Sequence, residues 1–245
     1  MSVFFLILFV FLLNLIFFLK FNSISNFLAL FDKPDGKLKR HSKPISLIGG
    51  LVIITNVCLI IVLLGSFNIY PIFESQFLFS VIILSTLFYL IGLIDDLKNL
   101  TPNIKLLLLL FSISSVIHFF PELKLDIIKI SFLDEVYYFR EYSSLFMILS
   151  FLLLANAINM FDGINLQLIL FSSIIFILFI LKGFIPIFFI LLLICLTFLG
   201  ILNYQNKVFL GDSGSYLISS LLGCTFIYKY KNFENFLFGD EVFII

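Results

Sequence analysis

Residues 75–96 read SQFLFSVIILSTLFYLIGLIDD, twenty residues without a charge closed by Asp95-Asp96. A helix needs about 20 mostly apolar residues to cross the hydrocarbon of a bilayer, so this stretch predicts a membrane span ending in two acids. The pattern recurs along the chain. Runs lacking Asp, Glu, Lys and Arg cover 3–19, 45–67, 106–120, 143–161, 166–181, 184–202 and 213–228, and another begins near Val242. The first lacks a basic n-region and a small-residue cleavage site, so it reads as a retained span. The prediction is an all-α polytopic membrane bundle of eight to nine transmembrane helices, forming one domain over 1–245. Because the ninth run is only begun at Ile245, the expectation is a C-terminal truncation inside it. Composition agrees: 62% of residues are hydrophobic and 12% charged, against about 25% charged in soluble domains. A net charge of zero argues against a nucleic-acid binder. Cys58, Cys195 and Cys224 sit in apolar runs with no metal spacing and read as small hydrophobes.

Basic residues near span ends set orientation. Lys20, Lys33, Lys37, Lys39, Arg40, Lys43, Lys98, Lys105 and Lys207 fall on one side, nine in all. Lys124, Lys129, Arg140, Lys182, Lys229 and Lys231 make six on the other. The first group is expected in the cytoplasm and the N-terminus outside. In the long external segment, Leu123, Leu125 and Ile127, then Ile128 and Ile130, suggest a short strand pair.

The acids are informative because charge is costly in a membrane. Asp32, Asp35, Asp95, Asp96, Asp162 and Asp212 all fall on the predicted cytoplasmic side. Asp32 and Asp35 lie among basic residues and read as loop polarity. Asp95-Asp96 end a helix, where the dipole disfavours anions, so something cationic should compensate. Neighbouring helical residues point about 100° apart. One acid is therefore expected toward a metal or phosphate, the other toward Lys98 or Lys105. Magnesium suits such a place, since it takes one or two carboxylates plus substrate phosphates. Asn156, Asn159 and Asp162 recur every third residue and share a helix face. The stripe serves either helix–helix hydrogen bonding or a ligand, and its ending in Asp162-Gly163 favours the ligand. The basic loop with His41 suits anionic lipid or phosphate capture. Acids at span ends rather than at the midplane count against an ion-coupled transporter, the alternative reading.

Four blocks, in order, resemble the polyprenyl-phosphate N-acetylhexosamine-1-phosphate transferases of glycosyl transferase family 4. They are Asp32-Lys33-Pro34 with Lys39-Arg40-His41, Pro44 and Gly49-Gly50; Gly92-Leu93-Ile94-Asp95-Asp96 followed by Lys105; Asn156-Ala157-Ile158-Asn159-Met160-Phe161-Asp162-Gly163; and Asn203, Lys207 and Phe209-Leu210-Gly211-Asp212-Ser213-Gly214-Ser215. The first block looks more like the branch that starts O-antigen, lipopolysaccharide, teichoic-acid or capsule carriers than the phospho-MurNAc-pentapeptide branch. After Gly163 the chain departs from the family's usual Leu-Asp-Gly-Leu-Ala, reading Ile164-Asn165-Leu166-Gln167. The family's His-x-His-His block would fall beyond Ile245.

The resemblance implies transfer of N-acetylhexosamine 1-phosphate from a UDP-sugar such as UDP-N-acetylglucosamine to undecaprenyl phosphate, releasing UMP. It implies Mg2+, with Mn2+ as a substitute, and a multi-pass enzyme of the bacterial inner membrane with its site on the cytoplasmic side. Asp95, Asp96 and Asp212 would be catalytic, the first two positioning or deprotonating the lipid phosphate. Asp212 and Asn159 would bind the metal. Lys105, Asn156, Asp162, Gly163 and His41 would contact substrate. Implied partners are the two substrates and the lipid bilayer, with a homodimer as a further option.

Overall fold

The computed structural model describes residues 2–34, 43–67, 75–130 and 133–232. The basic stretch with Asp35 and His41, and the predicted ninth span near Val242, lie outside these residues. Eight α-helices follow in order: α1 Ser2–Leu28, α2 Gly49–Ser66, α3 Ser75–Lys98, α4 Pro102–Phe119, α5 Ser143–Phe161, α6 Gln167–Leu181, α7 Pro186–Tyr204 and α8 Gly211–Asn232. Each covers most of one predicted apolar run, and together they form a multi-pass membrane bundle.

Two boundaries move for physical reasons. The first run stops at Lys20, yet α1 continues to Leu28. A lysine near a span end keeps its charge in polar surroundings through its flexible stem and does not break a helix. The second run starts at Ile45, yet α2 starts at Gly49. Ile45–Ser46 instead form a strand, β2, antiparallel to β1, Phe31–Asp32.

Six of the described helices are long and apolar enough to cross a bilayer, and α6 is a shorter apolar helix. α8 is in neither group because it carries serines, glycines and lysines among its apolar residues. It needs no apolar surface for lipid. Its residues Tyr216, Leu217, Ile218, Ser219, Ser220, Leu221, Leu222 and Cys224 are all buried. It packs most closely on α3, and also on α5 and α2.

Several polar groups inside the bundle find partners there. Ser172 and Thr225 hydroxyls donate to carbonyls one turn back, Leu168 and Leu221. Ser220 Oγ donates to Ser85 Oγ at 3.0 Å, joining α8 to α3. Asn14 of α1 and Asn56 of α2, both fully buried, exchange two side-chain hydrogen bonds of 2.7 and 3.0 Å. Each also donates to its own helix, at Val10 and Val52. Both amides thus have no unmet donor in a medium without water.

At the opposite end of the bundle from β1 and β2, a strand pair exists but starts later than the alternation suggested. β3 is Ile127–Ile130 and pairs antiparallel with β4, Leu133–Tyr138. Leu123 belongs to a short 3-10 turn. The hairpin and the 3-10 turn before it are both fastened to the end of α8: Lys129 N–H donates to the Tyr230 hydroxyl, and Lys231 Nζ donates to the Glu122 carbonyl.

The amide pair generates a double-mutant prediction. Asn14→Ala and Asn56→Ala should each cost about 1–2 kcal/mol. The double variant should cost clearly less than their sum, because either change already breaks both bonds. Equilibrium unfolding in bicelles measures this; strict additivity would mean that the pair is uncoupled.

Candidate active site

The end of α3 supplies two carboxylates that point different ways. Asp95 is buried. Its Oδ1 accepts the Leu100 N–H at 2.7 Å, which closes the helix end. Pro102 then opens α4 at its first turn, where a missing N–H is no loss. One turn on, Lys105 reaches back. Its ammonium contacts the Asp95 carboxylate and also donates to Asp212 Oδ2 at 2.9 Å. A cation does compensate Asp95, and it is Lys105 rather than Lys98.

Asp96 faces α8 instead. Its Oδ1 accepts the Asp212 N–H at 2.9 Å and its Oδ2 accepts the Ser213 N–H at 3.1 Å. Its compensating positive charge is a helix N-terminus. Two glycines make this possible. A Cβ on Gly92 would overlap the backbone of Asp212 and Ser213. Gly211 has φ +71° and would place a Cβ 2.6 Å from Asp96 Oδ2. Both carboxylates thus have protein partners, and both line the cavity described below.

The end of α5 supplies the next wall. Asn159 Nδ2 donates to Ser215 Oγ of α8 at 3.2 Å. Asp162 follows the last residue of α5, and Gly163 begins the turn. Asn156 does not join them: it donates to Leu152 within its own helix and is absent from the cavity lining.

Backbone pairing of two loops builds the remaining wall. Ser46 N–H donates to the Lys207 carbonyl and Phe209 N–H returns to the Ser46 carbonyl. Gly49 and Gly50 N–H donate to the carbonyls of Phe209 and Leu210. Asn203, buried at the end of α7, receives the Leu166 N–H at 2.7 Å and donates to the Val208 carbonyl at 3.0 Å. It therefore ties the loop after Asp162 to the loop before Asp212.

These parts enclose a cavity of about 350 Å³. Asp95, Asp96, Lys105, Asn159, Asp162, Gly163 and Asp212, all singled out from the sequence, line it together. His41 lies outside the described residues. Sequence reasoning missed Asp32, Asn99, Asn203 and Phe209 as cavity residues. Asp32 arrives through the β1–β2 pairing, which no periodicity announces. Asn203 and Phe209 were visible only as neighbours of the Gly211-Asp212 block.

The electrostatics are unbalanced. Five aspartates and one lysine line the cavity among the described residues. Burial, and then the charges of Asp212 and Asp96, push the half-buried Asp162 carboxyl up to about 8. Among the described residues no three His, Cys, Asp or Glu side chains are grouped to hold a metal by themselves.

An unfolded Asp carboxyl ionises near 3.8, and Asp162 when folded near 8. The folded state binds this proton more tightly. The stability it contributes is full below pH 4 and is lost as the pH rises toward 8. Asp162→Asn should therefore gain stability relative to the wild type on going from pH 5 to pH 8.5. Thermal unfolding followed by size-exclusion chromatography in detergent checks this; an equal shift in both proteins would contradict it.

Comparison with known proteins bears on the same residues. The model of glycosyl transferase family 4 matches residues 78–229, a segment running from α3 to α8 that holds every cavity aspartate except Asp32. No curated protein matches the chain. A family match over more than half of the sequence places the chain in glycosyl transferase family 4, the membrane transferases that move a sugar 1-phosphate from a nucleotide sugar to a polyprenyl phosphate.

Proposed function

We propose that this chain transfers N-acetylhexosamine 1-phosphate from a UDP-sugar to undecaprenyl phosphate and releases UMP, as the first step of a cell-envelope polysaccharide. The observation that carries the reading is the cluster at the polar end of the bundle: Lys105 held between Asp95 and Asp212, with Asp162 and Asn159 on the adjoining wall. One substrate is a membrane lipid and the other water-soluble, and a cavity at the end of the spans is open to both. The lysines of the first loop support placing this end in the cytoplasm of a bacterial inner membrane.

The donor set fits Mg2+. Among the described residues carboxylates outnumber cations, and burial, then the charges of Asp212 and Asp96, raises the Asp162 carboxyl; a divalent cation relieves such an environment. Asp212 and Asn159 would hold it, and the shell would be completed by phosphates and water, as this ion prefers. When bound, it neutralises charge on the pyrophosphate.

The chain's own residues do the rest. In the reaction, an oxygen of the acceptor phosphate forms a bond to the sugar-bearing phosphorus, and the bond from that phosphorus to UMP breaks. Such transfers depend on positioning and charge neutralisation. Lys105 supplies a fixed positive charge for the pyrophosphate. Asp95 aims it, since the Asp95 carboxylate is itself fixed by the Leu100 N–H. A phosphate monoester has its second pKa near 6, so the acceptor is mostly dianionic at neutral pH and a base is an aid rather than a requirement. Asp162 and Gly163 border the place for the nucleotide.

Asp212→Asn should abolish UMP release from UDP-N-acetylglucosamine by membranes supplied with undecaprenyl phosphate and Mg2+. Unchanged turnover would remove Asp212 from the metal site. Parallel reactions with UDP-N-acetylgalactosamine and UDP-MurNAc-pentapeptide identify the donor. Turnover with the pentapeptide alone would move the chain to the other branch.

A further inference from the structure

We infer that Asp96 is a positioning residue: it anchors the start of α8, and through it Asp212, and takes no proton from substrate. The inference deepens the transferase reading and rests on it for the role of Asp212. The first N–H groups of a helix have no partner within the helix, and a polar side chain just before it usually serves them. Here that service is missing locally. Neither Leu210 nor Gly211 carries a polar side chain. Asp96, from another helix, accepts both Asp212 N–H and Ser213 N–H, one on each oxygen.

The surroundings are shaped for this use. Gly92 lies one turn before Asp96 on α3 and lets the two backbones touch at Asp212 and Ser213. Gly211 leaves the volume that Asp96 Oδ2 fills. A proton taken onto either oxygen would weaken these bonds and loosen the turn that carries Asp212. Base and anchor are therefore competing roles for one carboxylate. Asp95 accepts no N–H from α8: its carboxyl meets Lys105, the Leu100 N–H and the Asp212 side chain.

Hydrogen–deuterium exchange on the full chain in lipid nanodiscs, without substrates, tests the anchor directly. In Asp96→Asn, peptides covering 211–214 should exchange at least tenfold faster, while those from 75–94 and 143–161 stay unchanged. Unchanged exchange at 211–214 would overturn the inference. Turnover supplies the second readout. Removing a residue that supports a catalytic group typically costs roughly 10–100-fold, and here the ratio of wild-type to variant kcat should be constant from pH 6 to pH 9. If Asp96 took the acceptor's proton, the ratio would shrink toward one once the phosphate had lost it, above its second pKa near 6; that result would also overturn the inference. If the wild type releases no UMP, the transferase reading fails while the exchange result still decides the anchor. Should Asp96→Asn not accumulate, Asp96→Glu keeps the charge and displaces it by one methylene. It should give faster exchange at 211–214 and a pH-independent loss, and wild-type exchange there would count against the anchor.

Discussion

Backbone contact between α3 and α8 at Gly92 is the constraint on which the polar end of the molecule depends. With any side chain at this position the two helices would separate, and Asp96 would no longer reach the amides of Asp212 and Ser213. The same approach places Asp212 within reach of Lys105 on α4. Gly49 and Gly50 bring the start of α2 to Leu210 and Gly214 in the same way. Three helices thus meet main chain to main chain, and the charged side chains line the cavity beside that contact.

Among the described residues, the cavity combines an excess of negative charge with one fixed cation. That combination would be costly as a resting arrangement deep in a protein of low dielectric. At the end of a membrane bundle it is tolerable because phosphates, a cation and water can enter. A site for transferring a phosphoryl group needs positive charge near the pyrophosphate, and Lys105 gives it one ammonium whose position is set from two sides.

Much of this was legible in the sequence. Charge-free runs reveal spans because a bilayer penalises every exception, and the same penalty makes each surviving acid conspicuous. Asp95, Asp96, Asp162 and Asp212 stand out for that reason, and the structure brings them around one cavity. The direction in which each acid points was not legible. That Asp95 meets Lys105 while Asp96 meets α8 depends on how the helices cross, and three-dimensional approach leaves no periodicity. Asn156 sits in the same row as Asn159, yet one turn of helix separates a residue on the cavity from one bonded to its own backbone. Asp32 looked like loop polarity because the pairing of Phe31–Asp32 with Ile45–Ser46 spans only two residues on each strand. The partner of Asn14 was invisible because 42 residues separate it from Asn56.

The burial of α8 has a consequence for how the protein is made. It is the most enclosed helix, yet it is not among those apolar enough to cross a bilayer by composition. A helix of this kind gains little by entering lipid alone. It gains by entering a sheath already built by α2, α3 and α5, where Gly214 meets the backbone of α2, Gly223 the Phe151 ring and Ser220 the Ser85 hydroxyl instead of acyl chains. Synthesis runs in the same order, so the helix carrying Asp212 arrives last of the eight. Insertion and assembly of the catalytic centre are then one event: the chain acquires its last described span and its site in the same step.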